Sequence, residues 1–141
     1  MSEINKGAVK AHGLRYPFES LPEMGRPIEV GEGVFWARMT LPFALDHINV
    51  WLLQDGDGYA VVDTCVDMKI SRDHWQALFD GFMQGKPVTK VIVTHMHPDH
   101  VGLAGWLVEK IEAPFYMSRT DYLMCRAMAG DTGKQAPDEA I

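Results

Sequence analysis

The stretch VIVTHMHPDH, Val91 to His100, decides how this chain folds and what chemistry it can carry. Its first half is a continuous apolar run, as expected of a short strand covered on both faces. Its second half, Thr94 to His100, packs three of the chain's six histidines and an aspartate into seven positions. In an extended segment, residues two apart project to the same side, so His95 and His97 can meet on one cation. Asp99 and His100 follow closely enough to serve a second cation beside the first. Imidazole and carboxylate together suit zinc, iron or manganese, and a pair of such ions activates water and stabilises a developing oxyanion. Hydrolysis is the reaction class that this donor set implies. A lone histidine is usually an ordinary loop residue, but so dense an array at a strand end is not.

Upstream, the aromatic and β-branched runs Val34–Met39, Asn49–Leu53 and Tyr59–Val62 predict an antiparallel meander, the last run following the turn Asp55-Gly56-Asp57-Gly58. From Ser71, read as an N-cap, Trp75, Leu78, Phe79, Phe82 and Met83 recur at helical spacing until Gly85 and Pro87 end the run. Downstream, Val101, Ala104, Leu107, Val108 and Ile111 mark one face of a second helix. Pro114–Met117 then reads as a strand and Arg119–Ala129 as a third helix, with Tyr122, Met124 and Met128 expected to pack on its face. A meander followed by strand, helix, strand, helix predicts an α/β (α+β) fold with a mixed sheet and helices on one face. Residues 1–27 mix Gly, Pro and charge without a period and are expected to form an irregular arm. Residues 28–141 are expected to form the domain. It is expected to be truncated, because Pro137-Asp138-Glu139-Ala140-Ile141 has the signature of a helix start.

With 47% hydrophobic and 23% charged residues over 141 positions, the chain can bury a core and form one ordered domain. A net charge of -6, with Lys and Arg scattered, argues against nucleic acid as a partner and leaves a small-molecule substrate. No run reaches membrane-spanning length and no signal-peptide core opens the chain, so a cytoplasmic, membrane-free protein is expected. Cys65 and Cys125, with no C-x-x-C pair, read as buried free thiols.

Thr94-His95-Met96-His97-Pro98-Asp99-His100 resembles the H-x-H-x-D-H signature of the metallo-β-lactamase-fold hydrolase superfamily, and Val61-Val62-Asp63-Thr64 resembles its V-D-T-G strand end. The resemblance runs from about Val34 to Ala129 and implies the first half of an αββα sandwich. It implies zinc, two ions in the complete protein, with His95 and His97 on metal one, Asp99 and His100 on metal two, and Asp63 hydrogen-bonding near the metal loop. Without the family, Asp63 is equally a strand-end carboxylate capping the next turn. Cys65 stands where the family has glycine, at a position where positive φ is expensive for any side chain.

The implied activity is metal-dependent hydrolysis, a metal-bound hydroxide attacking an ester, thioester, lactone or phosphodiester, with Asp99 in the catalytic group. Two alternatives stand beside it: a mononuclear iron oxygenase, which needs two histidines and one carboxylate, and a non-catalytic half-domain that needs a partner chain. The family's further ligands, two histidines and a bridging aspartate, lie downstream of the signature. Here the other histidines, His12, His47 and His74, are all upstream and none is assigned. Each metal therefore has two protein ligands where catalytic zinc takes about three. The resemblance thus implies weak or absent activity for this fragment alone, and an uncovered sheet face that favours self-association.

Overall fold

A computed structural model describes residues 9–11, 14–18 and 20–130. A small hairpin, β1 (Val9–Ala11) and β2 (Leu14–Tyr16), precedes a six-stranded sheet. The sheet runs in sequence order: β3 (Ile28–Gly31), β4 (Val34–Thr40), β5 (His47–Asp55), β6 (Gly58–Val62), β7 (Val88–Val93) and β8 (Phe115–Met117). Strands β3 to β6 are antiparallel, whereas β6, β7 and β8 are parallel. The parallel joints are made by α1 (Lys69–Ala77) with a π-helical turn (Leu78–Met83), and by α2 (Pro98–Val101) with α3 (Ala104–Ile111). Helix α4 (Arg119–Gly130) follows β8. This is the mixed sheet that the hydrophobic pattern predicts.

Alternation along the strands sends Ala37, Met39, Val50, Leu52, Val61 and Val91 to one face, where all are fully buried. They meet Trp75 and Leu78 from the first connection and Leu103 and Leu107 from the second. Each buried Val, Leu or Met of this layer stabilises the fold by about 1.5–3 kcal/mol, so this layer is what holds the sheet and helices together. The register places Ile28, Trp36, Trp51, Val62, Ile92 and Tyr116 in one row across the opposite face of all six strands. That row is only partly covered: Trp36 and Trp51 stack at 6.4 Å and Phe18 approaches Trp36 at 6.3 Å, while Tyr116 is 54% exposed.

Several local expectations are corrected. The arm is not wholly irregular, since β1 and β2 lie within it, and β3 is too short and too close to the arm to register in the sequence as a strand. Helix α1 starts at Lys69 without a side-chain cap, and Ser71 is instead buried inside it, its Oγ 3.4 Å from the Cys65 Sγ. The run from Leu78 to Met83 widens into a π-helical turn, which brings the Phe82 ring to 4.8 Å from Phe35 and 5.1 Å from Tyr59. Strand β7 buries Val91 and Val93 while Ile92, on the open face, is only half-buried. Helix α4 buries no residue, so Tyr122, Met124 and Met128 are exposed instead of packed. Cys125 is half-buried, unlike Cys65. The helix start expected at Pro137 to Ile141 lies outside the described residues.

The second helix is also broken, into α2 and α3, at Gly102 and Leu103. A Cβ on Gly102 would lie 2.4 Å from the Pro98 carbonyl oxygen and 3.0 Å from the Val66 Cα, so the backbones touch there. Leu103 N–H donates out of the helix to the Cys65 carbonyl, at 2.9 Å.

Candidate metal centre

The candidate site forms where β6 and β7 end side by side. Asp63 N–H donates to the Ile92 carbonyl at 2.8 Å, continuing the parallel ladder one step past β6. The buried Asp63 carboxylate then faces the loop after β7. It accepts from Thr94 N–H at 2.8 Å, from the Thr94 hydroxyl, and from His100 Nδ1 at 2.8 Å. Among the described residues the carboxylate thus bonds to the loop after β7 and to His100, and not to the turn that follows Asp63.

These bonds fix which ring nitrogens remain bare. A His100 that donates Nδ1–H to Asp63 keeps its lone pair on Nε2, which lies 3.5 Å from Asp99 Oδ2. The Thr94 hydroxyl gives its proton to Asp63 and sits 2.9 Å from His95 Nδ1, so that nitrogen is the donor and His95 Nε2 is bare. His95 Nε2 lies 3.1 Å from His97 Nδ1, and the His95 ring is 3.9 Å from the His100 ring between centroids. The structure thus gathers His95, His97, Asp99 and His100 into two adjoining pairs.

Among the described residues, no three His, Cys, Asp or Glu side chains form a group that could hold a metal ion. Each pair taken alone does fit a shared ion. With zinc–nitrogen bonds of about 2.0–2.1 Å, two nitrogens on one tetrahedral ion lie about 3.3 Å apart, close to the His95–His97 spacing. The donor chemistry, imidazole with one carboxylate, suits zinc, iron or manganese.

Around the pairs, the loop after β6 is strained. Asp63 and Cys65 both adopt left-handed φ, 63° and 76°, a conformation that costs about 1–3 kcal/mol per non-glycine residue. Cysteine therefore occupies a glycine-like backbone position. Burial pushes its thiol above the ordinary range, against a smaller opposing effect of the Ser71 hydroxyl, so Cys65 is a neutral packing group. His47 and His74 are engaged elsewhere, with Asp46 at 2.6 Å and Thr40 at 3.0 Å.

Sequence reasoning missed four contributors. Thr94 stands in the motif, but nothing local marks its role. Thr64, fully buried, donates both N–H and Oγ1–H to the His100 carbonyl at 2.8 Å. Asp121 on α4 accepts the Met96 N–H at 3.2 Å, and the Ser118 hydroxyl, with the Met96 N–H and His95 contributing less, holds its carboxyl below the usual range. The β4–β5 loop lies at this same edge of the sheet and exposes Phe43 (58%) and Leu45 (59%). Only the density of apolar residues in LPFALD could have pointed to that loop.

The model of the Metallo-beta-lactamase superfamily matches residues 44–137. The chain belongs to the metallo-beta-lactamase superfamily. Among solved structures it is similar to a beta-lactamase domain protein from Burkholderia ambifaria, 42% identical with a TM-score of 0.79 over 89% of this chain and 40% of that one. It is also similar to a metallo-beta-lactamase family protein from Thermus thermophilus, 29% identical with a TM-score of 0.51 over 60% of this chain and 28% of that one. The mono-zinc form of the metallo-beta-lactamase FIM-1 from Pseudomonas aeruginosa, 18% identical, shares the fold with a TM-score of 0.58 over 79% of this chain and 48% of that one. A search of curated proteins found no match. The chain thus spans under half the length of these solved relatives, and its fold is metal-dependent hydrolase in type.

Proposed function

We propose that this chain carries the metal-binding half of a metal-dependent hydrolase that cleaves an ester, thioester, lactone or phosphodiester. The observation that carries the reading is the close approach of His95 Nε2 and His97 Nδ1, 3.1 Å apart, beside the second pair of His100 and Asp99. Zinc is the ion proposed, two in the complete protein, with iron and manganese compatible with the same donors. A cation held there supplies Lewis acidity, which lowers the pKa of water and polarises the oxygen of the attacked group.

The chain's own residues supply orientation and a proton acceptor. Asp63 and Thr94 hold His100 and His95 in the tautomers that leave the inward nitrogens bare. Asp99, in the first turn of α2, presents a carboxylate that can bind the ion or take a proton from water. Phe43 and Leu45 put exposed apolar surface at the same edge, which favours a substrate with an apolar substituent. Each pair brings two ligands, so full activity needs donors from outside this set, and this chain alone is expected to bind metal weakly and turn over slowly or not at all.

The test is metal analysis and hydrolysis by the wild-type chain and the His95→Ala, His97→Ala double variant, after zinc loading and after iron loading. Substrates are a thioester, a lactone and a bis-aryl phosphodiester. Zinc uptake that the double variant abolishes supports the reading. Uptake equal in both proteins would sink it, and one iron with no zinc would point to the oxygenase.

A further inference from the structure

We propose that Thr64, held in place by the Trp75 indole, is a positioning residue that sets the His100 side of the metal centre independently of the His95–His97 side. The inference rests on the metal reading of the loop. Helix α2 ends after one turn, and the chain breaks at Gly102 and Leu103 before α3 begins. A break of that kind leaves terminal carbonyls without helical partners. The His100 carbonyl finds two donors, the Thr64 N–H and the Thr64 hydroxyl, each at 2.8 Å.

Thr64 is in turn gripped from behind. Trp75, fully buried on α1, donates its indole N–H to the Thr64 carbonyl at 2.8 Å. All three polar groups of one buried residue therefore join helix α1 to the backbone of a candidate ligand. Left-handed backbone at Asp63 and Cys65, on either side, marks the same point, because such strain persists only where surrounding contacts over-determine it. Thr64's bonds, with the Leu103 N–H on the Cys65 carbonyl, supply that constraint.

His100 is consequently fixed at both ends, the ring by Asp63 and the backbone by Thr64. Together they aim Nε2 at the side of Asp99. His95 and His97 have no hydrogen bond to Thr64 among the described residues; His95 is held through Thr94. The Thr64 hydroxyl reaches the His100 carbonyl and no atom of His95 or His97, so its loss acts on the His100–Asp99 pair while Asp63 still holds Thr94 and, through it, His95.

The experiment follows the ring nitrogens of His95, His97 and His100 by long-range proton–nitrogen NMR during titration of the histidine-labelled chain with zinc alone. Wild type, Thr64→Val and Thr64→Ser are compared. In Thr64→Val, His95 and His97 are expected to respond at the wild-type zinc concentration while His100 needs about tenfold more, the size of effect typical of partners that orient a ligand. Thr64→Ser, which restores the hydroxyl, should restore the wild-type order. Should Thr64→Val fail to fold, Trp75→Phe, which removes the donor to the Thr64 carbonyl along with part of the buried ring, should give the same split at smaller size. An equal shift of all three rings, or no shift, overturns the positioning role. Absence of any zinc response in the wild type overturns the metal reading and this inference with it.

Discussion

At Asp63 a single buried carboxylate accepts from the Thr94 amide, the Thr94 hydroxyl and His100 Nδ1, so removing it strands several donors at once. Hydrogen bonds to charged groups contribute about 1.5–3 kcal/mol each, with strong coupling among neighbours. Asp63→Ala is expected to lose about 3 kcal/mol in urea unfolding of metal-free protein. A loss below about 1 kcal/mol would mean that water replaces the carboxylate. His74 gives a pH effect of known sign. Burial holds its pKa below the ordinary value, against a weaker opposing effect of Asp73. The folded state thus resists a proton that the unfolded chain accepts near pH of about 6.5. Stability from the neutral ring is complete above that value and is lost as pH falls through the lowered folded pKa. His74→Gln should therefore flatten the fall in urea midpoint between about pH 7 and about pH 5. Superimposable curves for the two proteins would refute it.

The elements offer tests of opposite sign. Glu112 caps α3 with a φ of 51° and is exposed, so glycine can take its place without loss of packing. Glu112→Gly is expected to stabilise by about 1 kcal/mol, read as a higher urea midpoint. At Gly102 the backbones of α2 and the Val66 segment already touch. Gly102→Ala should lose about 2 kcal/mol or more, since backbone, unlike a flexible side chain, cannot yield cheaply. The elements themselves were legible in the sequence because periodicity records which positions are buried: the strands from Val34 to Met117 and the face of Trp75, Leu78 and Leu107 all follow it. The break at Gly102 was not, because it depends on contact with residues 65–67 from another part of the chain. Nor was the exposure of α4, whose Leu123, Met124 and Met128 look apolar enough to pack but are 58%, 48% and 58% exposed.

At the scale of the whole molecule, one sheet face is packed and the other presents the row from Ile28 to Tyr116. Partly covered apolar rows of this extent favour association. The chain is expected to scatter light as a species larger than a monomer, and Trp51→Lys, at the centre of the row, should shift it toward monomer. A monodisperse monomeric wild type would remove the expectation.

The sequence by itself determined the strands and helices from Val34 to Ala129 apart from the break at Gly102, the family, and the four candidate ligands His95, His97, Asp99 and His100, because periodicity and a dense local motif are written in consecutive residues. It also marked Cys65 as a side chain in glycine's place. Only the tertiary structure decided which nitrogens of His95 and His100 stay bare, and that Thr64, Thr94 and Trp75 hold the loop. Those outcomes depend on hydrogen bonds between residues far apart in the chain, and no local pattern encodes a bond whose partner lies on another element.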